Sequence, residues 1–376
     1  MVKSEEAAPL VVGAVVSETG AHAELADGYR KALHLWQEEV NTAGGLLGRR
    51  VALRLLDDGS EAVKSGPLYR QLILDKADAL IGPYGSAATL MAAAEAESAR
   101  RVMVNGAGWS REVHKRSPRF VFQSAMPYAA YGTGVLQIAK EEGYRTLFIL
   151  ARDDPPAREM AAAARDSAAK LGLAAGEVVV YPAGTIDFAL QVAKARALQA
   201  DAWIAFGEVR DAAEMVKSFK RLGYAPRLFF ARGAADPKFI SLVGQDAEQV
   251  LGVVAYDPRF ATPASEKFVK AFVAKWGARP GQAAAEGYAA AVVLAEGLRR
   301  AGSADQEKLR PALASLVTET ALGEFKLDPA TGEQTASAPA LVQILKGRTE
   351  IVWPRALETA KRVVPYPQWS ERRLLK

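Results

Sequence analysis

Residues 80–110, LIGPYGSAATLMAAAEAESARRVMVNGAGWS, decide the fold class of this chain. A short apolar strand over 79–81 runs through a glycine-rich turn into a helix that is predicted to begin at Ser86. A second strand, over 102–104, runs into the loop Asn105-Gly106-Ala107-Gly108-Trp109-Ser110. Because loops that follow parallel strands gather at one edge of an open sheet, both loops are expected at a ligand-binding edge.

Ser86 is the first candidate binding residue, because a hydroxyl at a helix start can hold an anion together with free backbone N–H groups. Trp109 can add a flat apolar wall. The backbone can approach a ligand closely at four glycines, 82, 85, 106 and 108. We interpret this edge as the site of a small organic carboxylate. The alternative is that Ser86 only caps its helix and the glycines only form turns.

Composition restricts the class of protein. A chain of 376 residues is longer than one hydrophobic core usually reaches, so two domains are expected. Lys and Arg number 48 against 43 Asp and Glu, but they form no basic face, so we expect no nucleic-acid partner. The absence of cysteine excludes disulfides and thiol nucleophiles. The first ten residues lack the apolar core of a signal peptide, so an exported protein would be present in mature or trimmed form.

Strands and helices alternate along most of the sequence. A strand over 10–16, a helix over 23–41, a strand over 51–56 and a helix over 61–75 precede the opening stretch, which predicts a parallel sheet with right-handed crossovers. A second alternating series begins with a helix over 128–142. After a strand over 250–256 come helices without intervening strands, so we expect the chain to return to the first lobe. The short strands then predicted are 325–327, 341–344 and 351–353.

Several landmarks occur in a fixed order along the chain. They are Ser17-Glu18-Thr19-Gly20, the segment VNTAGGLLGRRV at 40–51, Leu56-Asp57-Asp58, Ile81-Gly82 with Ser86, and Phe325 with Asp328 and Gly332. The set resembles the periplasmic substrate-binding proteins of the leucine/isoleucine/valine-binding type, which serve ABC importers. The similarity spans nearly the whole chain.

The resemblance implies the α/β fold of a type I periplasmic binding protein, with two Rossmann-like lobes whose parallel sheets are joined by a three-strand hinge. The expected N-terminal lobe comprises 1–123 plus 257–329. The expected C-terminal lobe comprises 124–256 plus 330–376. Such a protein closes on its ligand like a clamshell.

The resemblance also implies binding residues. A serine matching Ser86 and the backbone of Ala107, Gly108 and Trp109 would hold the ligand carboxylate. Loops of the second lobe would add side chains from Arg152, Glu208 and Arg232. The other residues expected to line or face the cleft are Tyr84, Gly85, Tyr128, Tyr256 and His22.

The sequence departs from that family in the second lobe. Relatives that bind aliphatic amino acids usually hold the ammonium group with an acid after the strand matching 228–230, where this chain has Ala231-Arg232-Gly233. Glu208 could hold an ammonium instead, or Arg232 could bind a carboxylate in a planar two-bond contact. The ligand is therefore expected to be a hydrophobic amino acid or an aromatic acid.

The function expected from these residues is that of a periplasmic solute receptor, monomeric, which delivers a small carboxylate to an ABC permease. The alternatives are a cytoplasmic ligand-sensing regulator of the same fold and an α/β enzyme. No catalytic motif supports the enzyme, and His22, His34 and His114 lack metal-ligand spacing, so we expect neither catalysis nor a cofactor or metal.

Overall fold

A computed structural model of the chain describes residues 7–371. The α-helices in that range are α1 (Ala23–Thr42), α2 (Ala62–Leu74), α3 (Ser86–Ser98), α4 (Thr133–Glu141), α5 (Pro155–Lys170), α6 (Ala189–Ala197), α7 (Val209–Leu222), α8 (Lys238–Val243), α9 (Pro263–Trp276), α10 (Gln282–Ala301) and α11 (Gln306–Ala314). The strands are β1 (Leu10–Val16), β2 (Val51–Asp57), β3 (Ala79–Ile81), β4 (Met103–Asn105), β5 (Val121–Gln123), β6 (Thr146–Arg152), β7 (Ala174–Ala175), β8 (Val179–Tyr181), β9 (Ala202–Phe206), β10 (Leu228–Ala231), β11 (Leu251–Val254), β12 (Val317–Thr320), β13 (Gly323–Lys326), β14 (Ala340–Leu345) and β15 (Arg348–Trp353).

Most predicted elements lie within a few residues of their expected bounds, but one predicted helix is broken and three elements were not predicted. The single helix expected over 128–142 is broken, because a short 3-10 turn at Tyr128–Ala130 precedes α4. Gly132 caps α4, and a Cβ there would lie 2.8 Å from the Cβ of Ala164, so this point of the chain packs directly on α5. The elements that were not predicted are β7, α8 and β12. Strand β12 pairs with β13 in a small antiparallel sheet.

The chain divides into two compact units, Met1–Pro127 with Tyr256–Ser337 and Tyr128–Ala255 with Ala338–Lys376. Residues 124–127, Tyr256 and residues 330–337 group with the first unit, whereas the expected lobe bounds put them in the second. Hydrogen bonds explain this grouping, since the Ser124 N–H donates to the Asn105 carbonyl and the Gln123 N–H donates to the Gly332 carbonyl, each at 2.9 Å.

The first unit is built on a five-stranded sheet in the order β2-β1-β3-β4-β5, with every neighbouring pair parallel. The β-branched and small residues of β1 are buried almost throughout. This order brings the carboxyl ends of β1, β3 and β4 to one edge, where the loop before α3 and the loop after β4 lie.

Helix α10 packs on α1 and also contacts β3 and β4. Its sequence, QAAAEGYAAAVVLAEGLRRA, is rich in alanine, which allows the helices to approach closely. A Cβ at Gly287 would lie 2.9 Å from the Tyr29 carbonyl oxygen, so a larger residue there would push α10 away from α1. Close packing thus brings the first turns of α10 to the loop after β4.

The second unit contains an eight-stranded sheet in the order β15-β14-β11-β10-β9-β6-β7, with β8 also paired to β6. The neighbours from β6 to β11 are parallel, and β14 and β15 form an antiparallel edge. Its core is aromatic: fully buried Trp203 packs against Phe148, Phe219 and Tyr224. Among the described residues, no helix is both long and apolar enough to span a membrane.

Gly106 tests the packing of the site loop against α10 and α1. A Cβ at Gly106 would lie 2.5 Å from the Tyr29 hydroxyl and 2.8 Å from the Ala290 Cβ. We expect Gly106→Ala to lower the free energy of unfolding by about 1–3 kcal/mol in urea denaturation, because the added methyl overpacks the interface. The matched control is Gly28→Ala in α1, where the nearest atom would be 3.4 Å away. The control should be neutral or stabilising by up to about 1 kcal/mol, and equal effects of the two changes would contradict the packing described.

Candidate functional site

Ser86 is the first residue of α3. Its hydroxyl accepts hydrogen bonds from the loop after β4 and does not cap its own helix. The Oγ accepts hydrogen bonds from the backbone N–H groups of Trp109, at 3.0 Å, and Ser110, at 3.1 Å. The N-cap position belongs to Gly85, whose φ of 95° favours glycine, and no side chain caps α3. The alternative in which Ser86 only caps its helix is therefore wrong. The structure records no acceptor within residues 7–371 for the Ser86 hydroxyl proton, which leaves it available to donate.

The loop after β4 is held by the side chains of Asn105, at the end of β4, and Gln123, at the end of β5. Asn105 accepts from the Gly108 N–H at 2.7 Å and donates to the Gly108 carbonyl at 2.8 Å, and Gln123 donates to the same carbonyl at 3.0 Å. The Ala107 carbonyl accepts from the Gly85 N–H at 3.0 Å. The N–H groups of Gly108 and Trp109 are bonded within the protein. Within residues 7–371, the Ser86 hydroxyl proton has no recorded acceptor and no side chain caps the first-turn N–H groups of α3, so both are donors that this edge offers.

A row of aromatic rings runs from the core to this edge. The half-buried rings of Trp109 and Tyr84 meet edge to face with centroids 5.4 Å apart. Tyr84 meets buried Tyr29 in the same way at 6.4 Å, and the Tyr29 hydroxyl donates to the Gly82 carbonyl at 2.9 Å. The row anchors Trp109 and Tyr84 as apolar surfaces beside Ser86.

Glu286 of α10 is a site residue that the sequence analysis missed. Its Oε1 accepts from the Trp109 indole N–H and from the Gln282 side chain, each at 2.8 Å. The residue is 1% exposed, and its buried Oε2 has no hydrogen-bond partner among the described residues. Burial raises the pKa of Glu286 from 4.5 to about 7, while the hydrogen bonds from Gln282 and Trp109 oppose the rise. A single acid within an alanine-rich helix face was the available sequence signal.

In the second unit, Arg232 and Glu208 lie at the carboxyl ends of neighbouring strands and form an ion pair. The Arg232 Nη1 donates to the Glu208 Oε1 at 2.8 Å and to the Gly207 carbonyl at 3.3 Å. Burial lowers the pKa of Arg232, but the Glu208 carboxylate outweighs this effect and raises it. Arg232 is therefore a permanent cation at this edge, with donors beyond Nη1 in its planar head group.

Arg152, at the end of β6, is half-buried and lies between two acids. Its Nε is 3.2 Å from an Asp154 oxygen, and its Nη1 is 4.0 Å from an Asp211 oxygen. Asp211 is buried, which raises its pKa, and it accepts the Glu208 backbone N–H at 2.7 Å. Beside these residues lies a groove of about 600 Å³, whose other lining residues include Thr185, Ile186 and Leu242.

The remaining predicted site residues lie in different settings. Tyr128 is half-buried and packs on Tyr131 with ring centroids 5.9 Å apart. Tyr256 is 6% exposed within an aromatic cluster of the first unit, so little of its ring can reach a ligand. His22 is exposed, and its backbone N–H donates to the Ser60 Oγ at 3.0 Å.

Residues 7–371 contain no cluster of three or more His, Cys, Asp or Glu side chains that could hold a metal ion. The first unit instead offers hydroxyl and backbone donors beside an aromatic wall. The second unit offers an arginine paired with a glutamate. Hydroxyl, backbone N–H and guanidinium donors are groups that can bind a small anion.

Comparisons with known proteins give matches over most of the chain. The profile of the family described as periplasmic binding protein matches residues 9–349. An amino acid binding protein of Pseudomonas aeruginosa is 25% identical over 85% of this chain and 86% of its own length. An ABC transporter substrate-binding protein from Desulfitobacterium hafniense, solved in complex with Leu, has a TM-score of 0.75 at 23% identity, with 92% of this chain and all of that chain covered. A solute binding protein from R. palustris, solved in complex with benzoate, has a TM-score of 0.69 at 20% identity, with 94% and 98% covered.

Glu286 makes the stability of the protein depend on pH in a defined direction. Between pH 4.5 and about 7 the native state keeps the Glu286 proton and the unfolded state loses it, so stability falls as pH rises. The slope should reach about 1 kcal/mol per pH unit, giving a total loss of about 3 kcal/mol. Glu286→Gln should abolish this part of the slope in urea denaturation measured from pH 4.5 to 8. Parallel profiles for the two proteins would show that Glu286 is ionised in the native state throughout.

Proposed function

We propose that this chain, which belongs to the periplasmic binding protein family, is the solute-binding component of an ABC import system and that it binds a small aromatic carboxylate. The family consists of substrate-binding transport proteins and not of enzymes. In this proposal the protein works in the periplasm and delivers its ligand to a membrane permease.

The single observation that carries the proposed ligand class is the hydrogen bonding of Ser86. Its Oγ already accepts two backbone N–H groups, from Trp109 and Ser110, so its remaining role in a complex is to donate its proton. The uncapped first turn of α3 begins at the same residue. A hydroxyl donor beside free N–H groups at the positive end of a helix dipole suits a carboxylate.

Arg232 supports an acidic ligand from the second unit. Its guanidinium keeps its charge beside Glu208 and can form two parallel hydrogen bonds with a carboxylate. We propose that Ser86 and Arg232 are both ligand-binding residues. Each would add a directed hydrogen bond to the ligand, and the aromatic surface beside Ser86 would add apolar contact.

The choice between an amino acid and an aromatic acid depends on Glu208 and Trp109. The Glu208 Oε1 is already occupied by the Arg232 Nη1, whereas the guanidinium has further N–H donors for a ligand carboxylate. Trp109 and Tyr84 offer ring surfaces beside Ser86, and burial of one ligand ring would contribute about 2 kcal/mol. The R. palustris protein was solved with benzoate and the D. hafniense protein with Leu, so both ligand types occur on this fold. The residues of this chain favour the acid without an α-amino group.

The first test measures benzoate affinity by calorimetry. We expect Ser86→Ala and Arg232→Gln each to weaken binding by about tenfold to a hundredfold, because each removes a charge-assisted hydrogen bond. The matched control is Arg158→Gln, which removes an exposed arginine of the second unit that pairs with Asp153. The control should bind like wild type. Unchanged affinity in Ser86→Ala, with the fold checked by circular dichroism, would reject the Ser86 edge as the site.

The second test separates the two ligand classes with Glu208→Gln. If the ligand is an aromatic acid, the substitution frees Arg232 from its carboxylate partner, so benzoate affinity should stay equal or rise. An amino acid held through Glu208 would instead lose at least about tenfold in affinity, because the ammonium would lose its counter-charge. Calorimetry with benzoate and with L-leucine distinguishes these outcomes. Loss of L-leucine binding in Glu208→Gln would overturn the assignment to aromatic acids.

A further inference from the structure

Trp109 is held at two points that lie on different elements. Its backbone N–H donates to Ser86 at the start of α3, and its indole N–H donates to Glu286 of α10. The first contact places the residue on the loop, and the second sets the rotation of the ring. A half-buried indole without the second bond would keep several rotamers, since the two side-chain torsions of tryptophan are otherwise limited only by packing.

Burial of the Glu286 carboxyl group costs free energy of desolvation. The residue is 1% exposed on an alanine-rich helix, one of its oxygens accepts two hydrogen bonds, and the other is buried with no partner among the described residues. An apolar side chain of similar size would avoid that desolvation cost. Its one contact outside α10 among its recorded hydrogen bonds is the Trp109 indole, which points to a role at the site and not in the core.

We propose that Glu286 is a positioning residue that holds the Trp109 indole in the orientation that selects ligands at the Ser86 edge, a role that rests on the function proposed above. Gln282, one turn earlier on α10, donates to the same oxygen and orients the carboxyl group. The Tyr84 ring also packs edge to face with the Trp109 ring. A fixed indole presents one flat surface, which fits a planar aromatic acid better than a branched aliphatic chain.

Protonation adds a second property to this contact. Tyr29 of α1 is the titratable neighbour that is electrostatically coupled to Glu286, and burial raises the pKa of Tyr29, so it stays neutral. Gln282 and the Trp109 indole, the groups that hydrogen-bond Glu286 from α10 and from the loop after β4, carry no charge. Among the groups that interact with its carboxyl group within residues 7–371, Glu286 is therefore the one that ionises, and its pKa of about 7 puts the change near neutral pH.

The first experiment follows the Trp109 indole N–H by nitrogen-15 NMR in the ligand-free protein, with Trp109→Phe used to assign the signal among six tryptophans. Glu286→Leu should speed exchange of this proton with water by about tenfold, since its acceptor is lost. Glu286→Gln keeps a carbonyl acceptor and should stay within about twofold of wild type while losing the shift of the signal between pH 6 and 8. Glu296→Leu, at a half-buried acid of the same helix paired with Arg299, is the control and should change nothing.

The second experiment measures the ratio of benzoate to L-leucine affinity by calorimetry. Glu286→Leu and Trp109→Phe should each lower this ratio by about fivefold, and the double variant should lower it no further, because both changes remove one interaction. Glu286→Gln, which keeps a carbonyl acceptor, should have the wild-type ratio of affinities. Additive effects, or an unchanged indole signal in Glu286→Leu, would overturn the positioning role. If Trp109→Ala binds benzoate like wild type while the indole still responds to Glu286→Leu, the proposed ligand wall is wrong and the selection role falls with it.

Discussion

The double hydrogen bond accepted by Ser86 is the constraint on which the rest of the candidate site depends. It joins the start of α3 to the loop after β4, two segments that follow neighbouring parallel strands. With its acceptor capacity used by Trp109 and Ser110, the hydroxyl keeps only its proton for a ligand. One side chain thereby sets the loop geometry and the polarity of the site, which favours an anion.

Small residues determine how closely α10 packs. Glycine at 106 and 287 and the run of alanines let α10 approach α1 and the loop after β4. Glu286 reaches the Trp109 indole because of that approach, and its high pKa is the consequence of burial there. Apolar packing and one buried polar contact therefore act together on the orientation of a single indole ring.

In the second unit, the charged candidate binding residues lie in ion pairs. Glu208 and Arg232 neutralise each other, and Arg152 lies between Asp154 and Asp211. A receptor for zwitterionic amino acids needs an acid free to meet an ammonium group, whereas here each acid of this cluster has a cationic or backbone partner. The arginines keep donors for a carboxylate, which is why the proposal favours an acid without an amino group.

The sequence by itself determined the alternating elements, the parallel sheets and the family resemblance, because hydrophobic periodicity and glycine positions are local properties. It also placed Ser86 and Trp109 at the same edge of the sheet, whereas their role in binding stays a prediction. The break between Tyr128 and α4, strand β12, the pairing of Arg232 with Glu208 and the burial of Tyr256 depended on contacts between residues distant in sequence. The partner of the Trp109 indole was decided only by tertiary structure, since Glu286 follows it by 177 positions and meets it through the packing of α10. Local sequence patterns do not predict a contact between residues so far apart in the chain.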